Sequence, residues 1–135
     1  MPLVTWDPSY SVKVSKCDED HKKLFALLNA LHEAMKEGKG HETIRQVLDE
    51  LADYTRFHFS QEEMLLKQTN YANCLPHQMQ HRAFVKKVEE FQSDMKAGKR
   101  VRTIAVVDFL KDWLIHHIKQ TDREYSDHLN AKGIS

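Results

Sequence analysis

The chain is predicted to be all-α: an up-down-up-down four-helix bundle with an extended N-terminal arm. Three observations lead there. Four segments carry apolar residues at helical spacing, short polar loops join them, and no long Gly/Ser/Pro stretch divides the 135 residues. Amphipathic helices joined by short loops bury their stripes together by packing antiparallel. One domain spanning residues 1–135 is expected.

Residues 1–17 contain Pro2, Pro8 and the β-leaning stretches "VTW" and "YSVKV", which suit an arm lying across other elements. The first helix is expected at 18–37, from the stripe Leu24, Leu27, Leu28, Leu31 and Met35, with Gly38 and Gly40 at its end. A second covers 41–68, its stripe running through Ile44, Val47, Leu48, Leu51, Tyr54 and Leu65 to the turn-prone "TNYANC". The third covers 76–97: Pro76 suits a first helical position, and His77, His81, Phe84, Val88, Phe91 and Met95 share a face that ends at Gly98. The fourth covers 102–130, with Ile104, Val107, Leu114 and Tyr125 on its stripe and Gly133 beyond its end.

Lys and Arg together number 20 and so do Asp and Glu, so the balance carries no electrostatic footprint for nucleic acid. No stretch approaches the roughly 18 apolar residues of a membrane span, and the N-terminus has no leader-like pattern. A cytoplasmic location is the expectation. Cys17 and Cys74 stand far apart in no metal or redox spacing and read as free thiols.

The unusual feature is nine histidines. A single His-x-x-x-His spacing carries little, because about 0.6 such pairs arise by chance at this frequency. Convergence carries more. Each helix offers candidates on its apolar stripe: His21 on the first, His58 and Glu62 on the second, His77 and His81 on the third, His117 and Asp122 on the fourth. Four residues advance a helix by a net offset of about 40°, so His58 and Glu62 can reach one point, as can His77 and His81. Unpaired in an apolar interior, such groups cost several kcal/mol each, and a metal centre removes that cost.

His117 and Asp122 are five apart, an offset of roughly 140° in a straight α-helix. Bringing both inward requires a π-type widening, with an i→i+5 hydrogen bond within 116–123. His116 is turned about 100° from His117 and is expected in solvent or behind a ligand. His32, His41 and His128 read as surface residues, and Glu63 as an exposed helix charge.

Imidazole and carboxylate without thiolate suit iron, manganese, copper or zinc, and seven side chains are too many for one ion. Two ions are implied. Five imidazole nitrogens and the four oxygens of two bridging carboxylates nearly fill an octahedral pair. One bridging oxygen then leaves a single vacancy, which fits a small molecule bound end-on.

The set "DEDHKKLF", "HFSQEE", "HQMQH" and "HHIKQTD", together with the arm "VTWDPSYSV", resembles the hemerythrin family, specifically its prokaryotic members, over nearly the whole chain. The resemblance implies two oxo- or hydroxo-bridged iron ions. His77, His81 and His117 would hold one, His21 and His58 the other, and Glu62 and Asp122 would bridge them. It implies reversible O2 binding at the iron with two histidines. Leu24, Phe59, Trp113, Leu114 and Ile118 would wall that position with apolar atoms, and Tyr125 is a candidate donor to a carboxylate.

Ferritin-like di-iron enzymes are carboxylate-rich with open positions on both metals, whereas this donor set is histidine-rich and nearly saturated. The expectation is therefore a non-catalytic protein for O2 transport, storage or delivery, with a receiving partner protein in prospect. Alternatives are an O2 or redox sensor, a di-iron oxidase, peroxidase or iron-repair protein, and a structural zinc protein.

Overall fold

The computed structural model describes residues 3–38, 41–99 and 103–135. Its long helices are α1 (Ser15–Lys36), α2 (His41–Gln68), α3 (Cys74–Lys96) and α4 (Thr103–His116), with a short α5 (Ser126–Ala131) in line beyond α4. They form a four-helix bundle: α1 packs on α2 and α4, and α2 packs on α3. Ring contacts of Phe84 with Trp113 and Phe91 with Phe109 join α3 to α4. The shared interior holds Leu28, Leu31, Leu48, Leu51, Leu66, Phe84, Leu110 and Leu129, all buried. Each fully buried aliphatic side chain contributes on the order of 1.5–3 kcal/mol.

The helices differ from expectation at their ends. α1 begins at Ser15, three residues before the predicted start, because Lys13 turns the chain through the left-handed region at φ 58°. Asp18, in the first turn, then accepts from the Val12 amide at 2.9 Å and the Ser11 hydroxyl at 2.6 Å, so the helix start also ties down the arm. α3 begins at Cys74, which puts Pro76 third. This costs nothing, since first-turn N–H groups have no intrahelical partner. α2 keeps the predicted bounds. Gly40 and the predicted first residue of the fourth helix, Arg102, lie outside the described residues.

The arm is not simply extended. Pro8–Tyr10 make a 3₁₀ turn capped by the Asp7 side chain, which accepts from the Ser9 amide. Tyr10, Val12 and Val14 are buried in the core. Three side chains of the fourth-helix region hold the arm: Arg123 donates to the Ser9 carbonyl, Ser126 to Val12 O at 2.6 Å, and Asn130 to Lys13 O at 2.9 Å.

The fourth helix is interrupted. After His116 the backbone widens into a π segment, His117–Thr121, then tightens into a 3₁₀ turn, Asp122–Tyr125, before α5. The Asp122 amide donates to the His117 carbonyl, the i→i+5 bond that the sequence requires. α5 closes on Gly133 at φ 81°, and the Ile134 amide returns to Leu129 O, six residues to one, which is the Schellman arrangement.

Candidate metal centre

All seven predicted donors come together in the bundle interior. His21, His58, Glu62, His77, His81, His117 and Asp122 are each only 1–2% exposed. Their donor atoms form two overlapping groups, each within 4.8 Å: Glu62, His77, His81, His117 and Asp122, and His21, His58, Glu62 and Asp122.

The two carboxylates belong to both groups, and each divides its oxygens between them. Glu62 Oε1 lies 2.7 Å from His77 Nε2 and 3.1 Å from His81 Nε2, while its Oε2 lies 3.1 Å from His58 Nε2. Asp122 Oδ1 lies 3.0 Å from both His77 Nε2 and His117 Nε2, while its Oδ2 lies 3.1 Å from His21 Nε2. The Nε2 atoms of His81 and His117 face each other at 3.1 Å. Bonds of about 2.1 Å to a first-row ion put neighbouring donors about 3 Å apart, so this spacing suits donors arranged around a cation.

The donor set also fits a metal by its incompleteness. His21 Nε2, His58 Nε2 and Asp122 Oδ1 are buried and make no hydrogen bond, although carboxylate or imidazole atoms lie near each. Burying a polar group unsatisfied costs about 1–3 kcal/mol, and a cation between these atoms removes that cost.

Metal-free, the cluster carries its own compensating charges. Burial disfavours protonated His58, but the charge and close approach of Glu62 and the hydrogen bond to Asp20 outweigh it and push the imidazole up to about 10. His77 rises to about 10 in the same way: burial opposes it, and the close approach of Asp122 and the hydrogen bond to Glu62 prevail. Burial alone would raise Glu62, yet the charge of His58, the nearby imidazoles of His21 and His58 and the hydrogen bond with His77 hold it well below the usual carboxylate range.

Residues behind the donors orient them. His58 Nδ1 lies 2.9 Å from Asp20 Oδ2, His81 Nδ1 lies 2.9 Å from Glu63 Oε2, and His117 Nδ1 lies 2.9 Å from Gln80 Oε1. With these ring nitrogens engaged outward, each Nε2 is left for the interior. Tyr125 donates to Glu62 Oε2 at 2.9 Å. Asp20 and Gln80 were not singled out from the sequence. Glu63 corrects its reading as an exposed charge: its direction, about 100° round from Glu62, points at the outer nitrogen of His81. His128 is likewise half-buried, bonding Thr69 O at 2.9 Å, while His116 faces solvent. His41 is exposed, as read, and reaches Met95 O, and His32 is half-buried.

Of the expected apolar wall, Leu24, Leu114 and Ile118 are fully buried. Phe59 lies flat on His81, with centroids 3.7 Å apart at 2°, and half-buried Trp113 stacks on His117 at 4.4 Å and 15°. These two rings therefore shield the three-histidine group.

The model of the hemerythrin HHE cation binding domain matches residues 12–129, a span that includes all seven donors. The chain belongs to the hemerythrin family. A bacteriohemerythrin of Clostridium acetobutylicum is 32% identical over 131 residues, covering 93% of this chain and 100% of that one. Another, of Stenotrophomonas maltophilia, is 30% identical and covers 97% of this chain and 84% of its own length. A wild-type hemerythrin crystal structure aligns with a TM-score of 0.90 at 30% identity, across 94% of this chain and 98% of that one. The hemerythrin fold and a His/Glu/Asp cluster able to bind metal are thus present together. No helix among the described residues is long and apolar enough to cross a membrane.

Proposed function

We propose that this protein binds O2 reversibly at a di-iron centre, for transport, storage or delivery in the cytoplasm. The observation that carries the reading is the division of Glu62 and Asp122 between two imidazole groups, three on one side and two on the other. His77, His81 and His117 would hold one ion, His21 and His58 the other, and the two carboxylates would bridge. A ferrous pair held by these residues would supply the redox chemistry for reversible O2 binding.

The chain's own residues supply selectivity. The side with two imidazoles is the less saturated, and a small molecule would be taken there. A cavity of about 290 Å³ between α1 and α2 has His58 and Glu62 among its lining residues, with Lys16, Met64 and Ile134 also contributing. Leu24, Leu114 and Ile118 exclude bulk water from the interior, which disfavours loss of charged oxygen species and favours return of O2. Tyr125 holds Glu62 in place. A histidine-rich donor set with a single vacancy suits one small ligand and not the two open positions of carboxylate-rich di-iron enzymes, so the role proposed is non-catalytic.

The test is spectroscopic. Iron-loaded protein, reduced without air, should develop a visible absorption band on exposure to O2 and lose it under argon over repeated cycles. Irreversible oxidation in one exposure would point instead to sensing or oxidation chemistry, and a preparation holding zinc would remove O2 binding altogether.

Sensing has one observation in its favour. The arm is bonded through Arg123 to the same irregular segment that carries His117 and Asp122, and through Ser126 to the start of α5 just after it. A change at the centre could thus reach the surface of the molecule.

A further inference from the structure

Asp20 is 2% exposed and is met by three donors. His58 Nδ1 lies 2.9 Å from Oδ2, and Lys16 Nζ and the Tyr54 hydroxyl each lie 2.9 Å from Oδ1. Of these donors only His58 belongs to the seven cluster residues. The Lys16 side chain is 66% exposed, so the carboxylate is anchored from the surface inward.

The other outer partners differ in charge or in burial. His117 has the neutral amide of Gln80, which also accepts from Thr121 at 2.9 Å. His81 has Glu63, whose side chain is 24% exposed and whose charge water screens. His21 Nδ1 is buried with no hydrogen-bond partner. Among the described residues, the one fully buried negative charge placed behind an imidazole therefore falls on the side that has only two of them.

We propose that Asp20 is a positioning residue for the two-histidine ion. It fixes His58 with Nε2 turned inward and adds the negative charge that lets a position poorer by one imidazole retain its cation. The proposal rests on the two-ion reading above. A carboxylate behind a ligating histidine fixes the ring and raises its basicity, and removing such a partner typically lowers metal affinity by roughly 10–100-fold. The loss should be confined to one ion, because Gln80 and Glu63 serve the other independently.

The metal-free protein titrated with Co2+, followed by visible absorption and calorimetry, reads this directly. The unaltered chain should show two binding events, one of which His21→Ala abolishes. Asp20→Asn keeps an acceptor oxygen of similar shape and should weaken that same event by roughly 10–100-fold while leaving the other in place. Tyr54→Phe, which removes only a neutral donor from the outer side of Asp20, should weaken the same event by less, and it keeps the proposal testable if Asp20→Asn folds poorly. Equal weakening of both events, or of neither, overturns it. Fewer than two events in the unaltered chain would remove the two-ion reading itself, and the proposal with it, before any variant is measured.

Discussion

The Asp122 amide donates to the His117 carbonyl across five residues, and this bond sets both side chains on the inner face of the bundle. In an unbroken α-helix they would diverge by roughly 140°. Deleting the exposed Gln120 would place the acid four residues after His117, an offset of about 40°, so the shortened chain should still take up iron. Inserting one alanine after Ile118 rotates the acid by about a further 100°, and iron content should fall by at least half. Metal analysis of the two variants side by side checks the relationship; the same content in both would contradict it.

His77 approaches both carboxylates, Glu62 at 2.7 Å and Asp122 at 3.0 Å. His77→Ala should lower iron content and cost about 3–5 kcal/mol of stability, because the remaining buried charges lose a partner. Iron assay and denaturant melts measure the two effects, and unchanged iron stoichiometry would withdraw His77 from the donor set.

The pH dependence of the metal-free protein follows from the raised imidazoles. His58 and His77 are lifted from 6.5 to about 10, so their contribution to stability is complete below pH 6.5 and is lost as pH rises through about 10. Glu62 is shifted the other way, so its contribution is present above the usual carboxylate range and is lost in acid. The melting temperature of metal-free protein should therefore fall steadily from pH 6.5 to 10. Iron-loaded protein should not share that fall, since its imidazoles are already deprotonated. A flat metal-free profile would show that the histidines are neutral in the empty cluster.

Leu114 is 1% exposed and lies three residues before His117. Leu114→Ala should cost about 2–5 kcal/mol by leaving a cavity. It should also speed loss of the O2-dependent absorption by admitting water. An unaltered decay rate would detach the apolar wall from protection of the site.

Much of the centre was legible because helical spacing is local. His77 and His81 share a face with Phe84 and Val88, and this alone turns the imidazoles inward. The widening at 117–121 was legible for the same reason: two residues that must face inward stood at a spacing that a regular helix forbids. What was not legible lies across the bundle. Asp20 meets His58 from 38 residues away and Gln80 meets His117 from 37, and no periodicity links either pair. Glu63 was misread because an angle measured on α2 alone cannot show that α3 fills that direction. The arm's anchors on Arg123, Ser126 and Asn130, each more than 110 residues distant, were invisible for the same reason.

Iron per chain in anaerobically reconstituted protein, taken together with iron K-edge absorption, tests the central claim most directly. Two iron atoms per chain, with scattering from a second metal at bridged distance, is the expected result. One iron or none, or two without metal–metal scattering, would contradict a pair joined by Glu62 and Asp122.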